Sequence, residues 1–184
     1  MAAAPTPSYP DAAFNAHLTW VVETTKQVLD ANPQASYAPM LFIMEGGQPH
    51  LSLLAGLPES EEERREAMRL FGNQWRDMGR PAPEAVFFAA EVWMARYSSE
   101  DLKRQPPPKP SANPKAWEAI FIMGRAGDGR HNNAEVQIKR RADKTIQPGE
   151  TITNVYEPAT TAPGKESGLL GAFYEGLQES KPSA

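Results

Sequence analysis

The chain reads as an α+β protein, with a mainly antiparallel sheet of five to six strands and two amphipathic helices. Three observations predict this. Residues 11–32 and 58–78 repeat apolar side chains every three or four positions, the period of a helix. Several segments between residues 37 and 156 are short, β-rich and bounded by Gly or Pro. Most of these strands follow one another without intervening helices, which favours antiparallel neighbours over a doubly wound parallel sheet.

Residues 1–10, rich in Ala, Pro and Ser, are expected to be a flexible, unstructured lead. In the first helix, Phe14, Leu18, Val21, Val22, Thr25, Val28 and Leu29 form one stripe to lay on a sheet, with Asp11 the expected N-cap and Asn32-Pro33 the stop. Residues 37–44 and 50–54 flank the turn-forming Glu45-Gly46-Gly47-Gln48-Pro49, which predicts a hairpin. The second helix is expected to start at Pro58. Acids at 59, 61, 62, 63 and 66 suit its positive end, and Ala67, Met68, Phe71, Trp75 and Met78 form its apolar stripe.

Residues 85–97 are apolar on both alternating faces, as in a central strand covered on each side. The segment 98–114 contains Gln105-Pro106-Pro107-Pro108-Lys109-Pro110 and is expected to be a stiff, extended connector. Residues 117–123 form the next strand and 124–130 a loop. Residues 134–139 alternate, with Ala134, Val136 and Ile138 inward and Glu135, Gln137 and Lys139 outward. A turn at Gln147-Pro148-Gly149 should precede a last strand over 151–156. One domain therefore spans 11–156. Residues 157–184 hold a linker and a short apolar segment in which Leu169, Leu170, Phe173, Tyr174 and Leu177 can share one helical face. That face must dock on its own domain, on a second copy or on a partner protein, because so short a helix is unstable alone.

Cysteine is absent, which excludes disulfides, thiolate metal sites and cysteine nucleophiles. No apolar run approaches membrane-spanning length, and the first residues lack the pattern of a signal peptide, so the expected location is cytoplasmic and no membrane contact is expected. The net charge of −4 conceals an asymmetry: between residues 103 and 144 there are ten Lys and Arg against four acids.

Glu91 stands in the middle of the apolar run 85–97, where a carboxylate needs a partner. One enzymatic reading makes it the acid of a metal-dependent hydrolase or nuclease, with Lys139 of Gln137-Ile138-Lys139 orienting water. Only one strong acid is placed by that spacing. The three histidines have no metal-ligand spacing, and His50 with Ser52 lacks the nucleophile elbow of a hydrolase. No metal or other cofactor is therefore expected. Arg125, Arg130 and His131 flank the 124–130 loop and could contact an anion. With Lys139, Arg140 and Arg141 and the whole 103–144 region, they also raise a nucleic-acid reading, in which Trp117 could stack on a base. No nucleic-acid-binding motif accompanies them.

The strand Glu91-Val92-Trp93-Met94, the proline connector and Asn113-Pro114-Lys115-Ala116-Trp117-Glu118-Ala119-Ile120 resemble a group of uncharacterised bacterial and phage proteins of unknown function. The resemblance covers about a third of the chain. It implies paired core strands over 85–123, in which Glu91 and Glu118 are structural acids pairing with Arg or backbone groups. It implies no activity. The leading expectation is a non-enzymatic protein that acts through protein–protein contacts in an assembly or regulatory role, by self-association or partner capture through the C-terminal segment.

Overall fold

The computed structural model describes residues 9–34, 36–95, 115–153 and 168–179. The element order is α1 (Asp11–Ala31), β1 (Met40–Glu45), β2 (Gln48–Leu53), α2 (Glu61–Asp77), β3 (Ala85–Met94), β4 (Trp117–Ala126), β5 (His131–Arg140), β6 (Ile146–Thr153) and α3 (Leu169–Gln178). The strands form one six-stranded sheet in the order β2-β1-β3-β4-β5-β6, antiparallel at every step. This is an α+β architecture. The proline connector and the linker after β6 lie outside the described residues, as do residues 1–8 of the lead.

Strand alternation divides the apolar side chains between two cores. On one face Met40, Phe42, Phe87, Ala89, Ile120, Ile122 and Val136 pack beneath the stripe of α1. On the other, Leu41, Ile43, Val86 and Phe88 pack beneath α2 and α3 through Met68, Trp75, Leu170 and Phe173. The two-faced apolarity of β3 follows from this double cover. Among the described residues, no helix is long and apolar enough to cross a membrane.

Helix α2 begins three residues later than its proline suggests. Ser60 is the N-cap: its hydroxyl oxygen accepts the Glu63 N–H at 3.1 Å and its O–H donates to the Glu63 carboxylate at 2.9 Å. That exchange defines the end more strongly than Pro58 does, since proline merely tolerates a first turn. Asp11 is the first residue of α1 rather than its cap, and its carboxylate is taken by Arg130. Strand β6 begins before the expected turn: Gln147, Pro148 and Gly149 lie within it, and the chain reverses over residues 141–145, with Lys144 at φ 67°. The Asp143 carboxylate fixes that reversal by accepting from the Thr145 N–H and hydroxyl. Pro148 is tolerated because β6 is an edge strand with a bulge between Val136 and Ile138 of its neighbour's register.

The C-terminal apolar segment is a third helix, and it belongs to the second core. Helix α3 crosses α2 at two reciprocal glycines. A Cβ built on Gly72 would lie 2.0 Å from the Phe173 carbonyl oxygen, and one on Gly176 would lie 2.0 Å from that of Arg69. Backbone-to-backbone contact of this kind needs a hydrogen at both positions. Asn73 and Arg69 then grip the Glu179 carboxylate, and together hold its pKa below the usual range.

Candidate functional site

Glu91 lies on the α1 face, since it pairs with Ile120, and Ile120 pairs with Val136 of the same core. It sits on β3 two residues past Ala89, the last to pair with β1, with its side chain 23% exposed, not in the core as its neighbours suggested. Its Oε2 accepts the Tyr37 backbone N–H at 3.1 Å, and its Oε1 lies 3.5 Å from the Arg140 guanidinium. Arg140 is bound more closely by Glu118, whose hydrogen bond raises the arginine's pKa. Burial pushes up the phenol of Tyr37, which meets the Thr25 hydroxyl of α1 at 3.2 Å. This cluster ties the segment before β1 to β3, β4 and β5. Its chemistry is that of a fastening, with two carboxylates shared by one guanidinium and a backbone donor.

The strand period separates the two residues of the hydrolase reading. Val136 and Ile138 lie under α1, so Gln137 and Lys139 of β5 point to the other face, away from Glu91. The cation that reaches Glu91, among the described residues, is Arg140. Among the described residues no three His, Asp or Glu side chains are grouped to hold a metal ion.

The deeply buried acid is Glu135, which sequence alternation had sent to solvent. It is fully buried. Its Oε1 accepts the Trp117 indole N–H, and its Oε2 has no hydrogen-bond partner. The register places Ala119 and Gln137 between the two side chains, so Trp117 and Glu135 meet above a fully buried alanine. The outward face of β5 is therefore covered at this point. The sequence signal for that cover was the two-faced apolarity of β3, two strands away.

The expected anion contacts do not converge. Arg130 is held by Asp11 and Asp128, Arg140 by Glu118 and Glu91, and Arg141 by Gln147. The Arg125 guanidinium stacks 5.5 Å from the Tyr174 ring centre, while the Tyr174 hydroxyl donates to the Arg125 carbonyl. Arg125 and Arg130 flank one end of β5, and Arg140 and Arg141 the other, about 30 Å away for a ten-residue strand. His17 meets the Tyr9 hydroxyl, His50 lies 3.0 Å from Glu45, and His131 faces the Gly129 carbonyl. The C-terminal contact residues are also spent within the chain. Leu170, Phe173 and Tyr174 are buried, and Leu169 and Leu177 pack against the same core. As a corrected assignment, their docking surface is the chain's own α2 and sheet.

The feature that sequence reasoning passed over is the outer edge of β2. Gly46 and Gly47, at φ 56° and 74°, make a two-residue turn closed by the pair Glu45 and Gln48. Hydrogen-bonded pairs then alternate along the hairpin as 45 with 48, 43 with 50, and 41 with 52. The Leu54 N–H bond to the Pro39 carbonyl at 2.9 Å continues the same series. Pro49, Leu51 and Leu53 consequently turn their backbone groups outward, and of these only the leucines have an N–H to offer. Their side chains are 50% and 65% exposed, and Trp20, 40% exposed, stands edge-on to Phe42, the partner of Leu51. The opposite edge, β6, carries Pro148, Glu150 and a bulge, three devices that discourage pairing. Strand β2 has no comparable guard at Leu51 and Leu53. Comparison with protein-family models, curated proteins and solved structures found no match to this chain, so its own residues alone carry the functional reading.

Proposed function

We propose that this is a non-enzymatic assembly protein that acts through protein–protein contact, pairing with a second copy of itself at the β2 edge. The carrying observation is the coincidence at Leu51 and Leu53 of outward N–H groups and exposed apolar side chains. Two such edges are self-complementary. Placed antiparallel with a two-fold axis at Ser52, Leu51 of each copy lies opposite Leu53 of the other. The four free leucine N–H groups then all find carbonyls, and Pro49 is left outside the paired stretch. On the α1 face, four leucines from the two copies come together beside both Trp20 rings. The contact is short, below the area of a permanent interface, so it should be reversible and depend on concentration.

Metal-dependent hydrolysis through Glu91 and Lys139 is disfavoured by their opposite faces, and nucleic-acid binding by the ion pairing and separation of the arginines. Light scattering across a concentration range tests the assembly reading. The unaltered protein should rise from monomer towards dimer mass, and Leu53→Lys should remain a monomer with an unchanged unfolding temperature, because that side chain is outside both cores. A Leu53→Lys protein that dimerises like the parent would remove the β2 edge from the account.

A further inference from the structure

The connection from β2 to α2 closes over a small apolar cavity of about 150 Å3, lined by Leu54, Leu57, Met68 and Phe71, with Arg64 at its rim. We propose that this cavity binds a small monocarboxylate with a compact apolar body, the body enclosed by those four side chains and the carboxylate held by Arg64. Its volume, open at one side, leaves room for a single six-membered carbon ring.

The charge argument rests on how the arginines of α2 are used. Arg65 pairs with Glu175, Arg69 with Glu66 and Glu179, and Arg76 with Asp77. Arg64 has acids one to three residues away on its N-terminal side, yet among the described residues it forms no ion pair. Its Nη1 instead donates to the Pro58 carbonyl at 3.3 Å, which turns the guanidinium towards the cavity mouth. A half-buried guanidinium with an unfilled donor fork beside an apolar cavity is complementary to a carboxylate joined to a hydrocarbon group. Glu61 and Glu62 are exposed at the same helix end and reduce the attraction, which sets a weak affinity suited to a small ligand. The cavity lies on the α2 side of the sheet and Leu53 also borders it, but its charged contact is Arg64, which takes no part in the edge pairing, so the Arg64 variant tests this site separately.

The test is a titration of the full chain with sodium benzoate, followed by the methyl resonance of Met68 and by calorimetry. Saturable binding that moves the Met68 signal is expected. Acetate, which lacks the apolar body, and benzyl alcohol, which lacks the charge, should each bind about tenfold or more weakly. Arg64→Gln should weaken benzoate to the same degree while leaving the unfolding temperature of the free protein within about 2 °C, as for a surface substitution. The proposal is overturned if the Met68 signal does not move, if acetate competes as well as benzoate, or if Arg64→Gln binds undiminished. It is overturned equally if benzoate is inert and an acetylated dipeptide ending in phenylalanine binds, since the ligand would then be a chain terminus.

Discussion

Gly176→Ala is expected to destabilise the protein by about 3 kcal/mol and to lower its unfolding temperature by about 6–12 °C. The sign is a contest between two effects. In an ordinary helix, alanine for glycine is worth roughly 1 kcal/mol in favour of the substitution, through the backbone freedom it removes from the unfolded chain. Here the added methyl would stand 2.0 Å from the Arg69 carbonyl oxygen and 3.0 Å from the Asn73 nitrogen, atoms of a helix backbone that cannot swing aside. The helices must separate, and Leu170 and Phe173 lose their seat in the second core. Gly72→Ala meets the mirror-image clash with Phe173 and should behave alike. Gly168→Ala is the control: it stands at the N-cap of the same helix with open space around it, and should change stability by under about 1 kcal/mol. Thermal unfolding of the three variants reads the comparison directly. A Gly176→Ala protein as stable as the parent would mean that α3 does not cross α2 in this way.

Trp117→Phe should cost about 3 kcal/mol, more than the loss of ring size explains, because it strips the one donor from a fully buried carboxylate. Its partner experiment points the other way. Glu135→Met removes both oxygens, including the one that has no hydrogen bond, and fills a similar volume. It is therefore expected to be neutral or stabilising. In the double variant the indole donor is no longer missed, so most of the Trp117→Phe penalty should vanish. Denaturant unfolding of the four proteins closes the cycle. Equal penalties for Trp117→Phe in both backgrounds would show that the indole contributes packing alone.

The stripe of α1 was legible because it is a long amphipathic helix whose whole apolar face meets one sheet, and Phe14, Leu18, Val21, Val22, Thr25 and Leu29 are all buried as their spacing implies. The hairpin was legible from Gly46 and Gly47, since few residues other than glycine accept their backbone angles. Glu135 was misplaced for a general reason. Alternation tells which residues share a face but not whether that face is wet, and here both faces of the sheet are covered. The same ambiguity ran in reverse for Glu91, whose apolar neighbours belong to the core although its own position lies past the end of the β1 pairing, with its side chain partly exposed. The roles of Gly72 and Gly176 were not legible, because close approach of a second backbone leaves no mark in local sequence. The β2 edge was hidden for the same reason, since strand order is set by tertiary pairing and not by any residue of β2. With that order known, Leu51 and Leu53 become the exposed positions that need an explanation.

The proposed pairing fixes one distance that cysteine chemistry can read, and the chain has no cysteine of its own. With the two-fold axis at Ser52, the two Ser52 residues form a non-hydrogen-bonded pair, with Cα atoms about 4.5 Å apart, within disulfide range. Ser52→Cys, oxidised mildly at micromolar concentration and run on a non-reducing gel, is expected to convert largely to a covalent dimer. Cysteine at Gln48, on the same strand but beyond Pro49, should stay monomeric. A Ser52→Cys protein that remains monomeric under oxidation, or cross-linking that is as efficient from position 48, would contradict edge-to-edge assembly through Leu51 and Leu53.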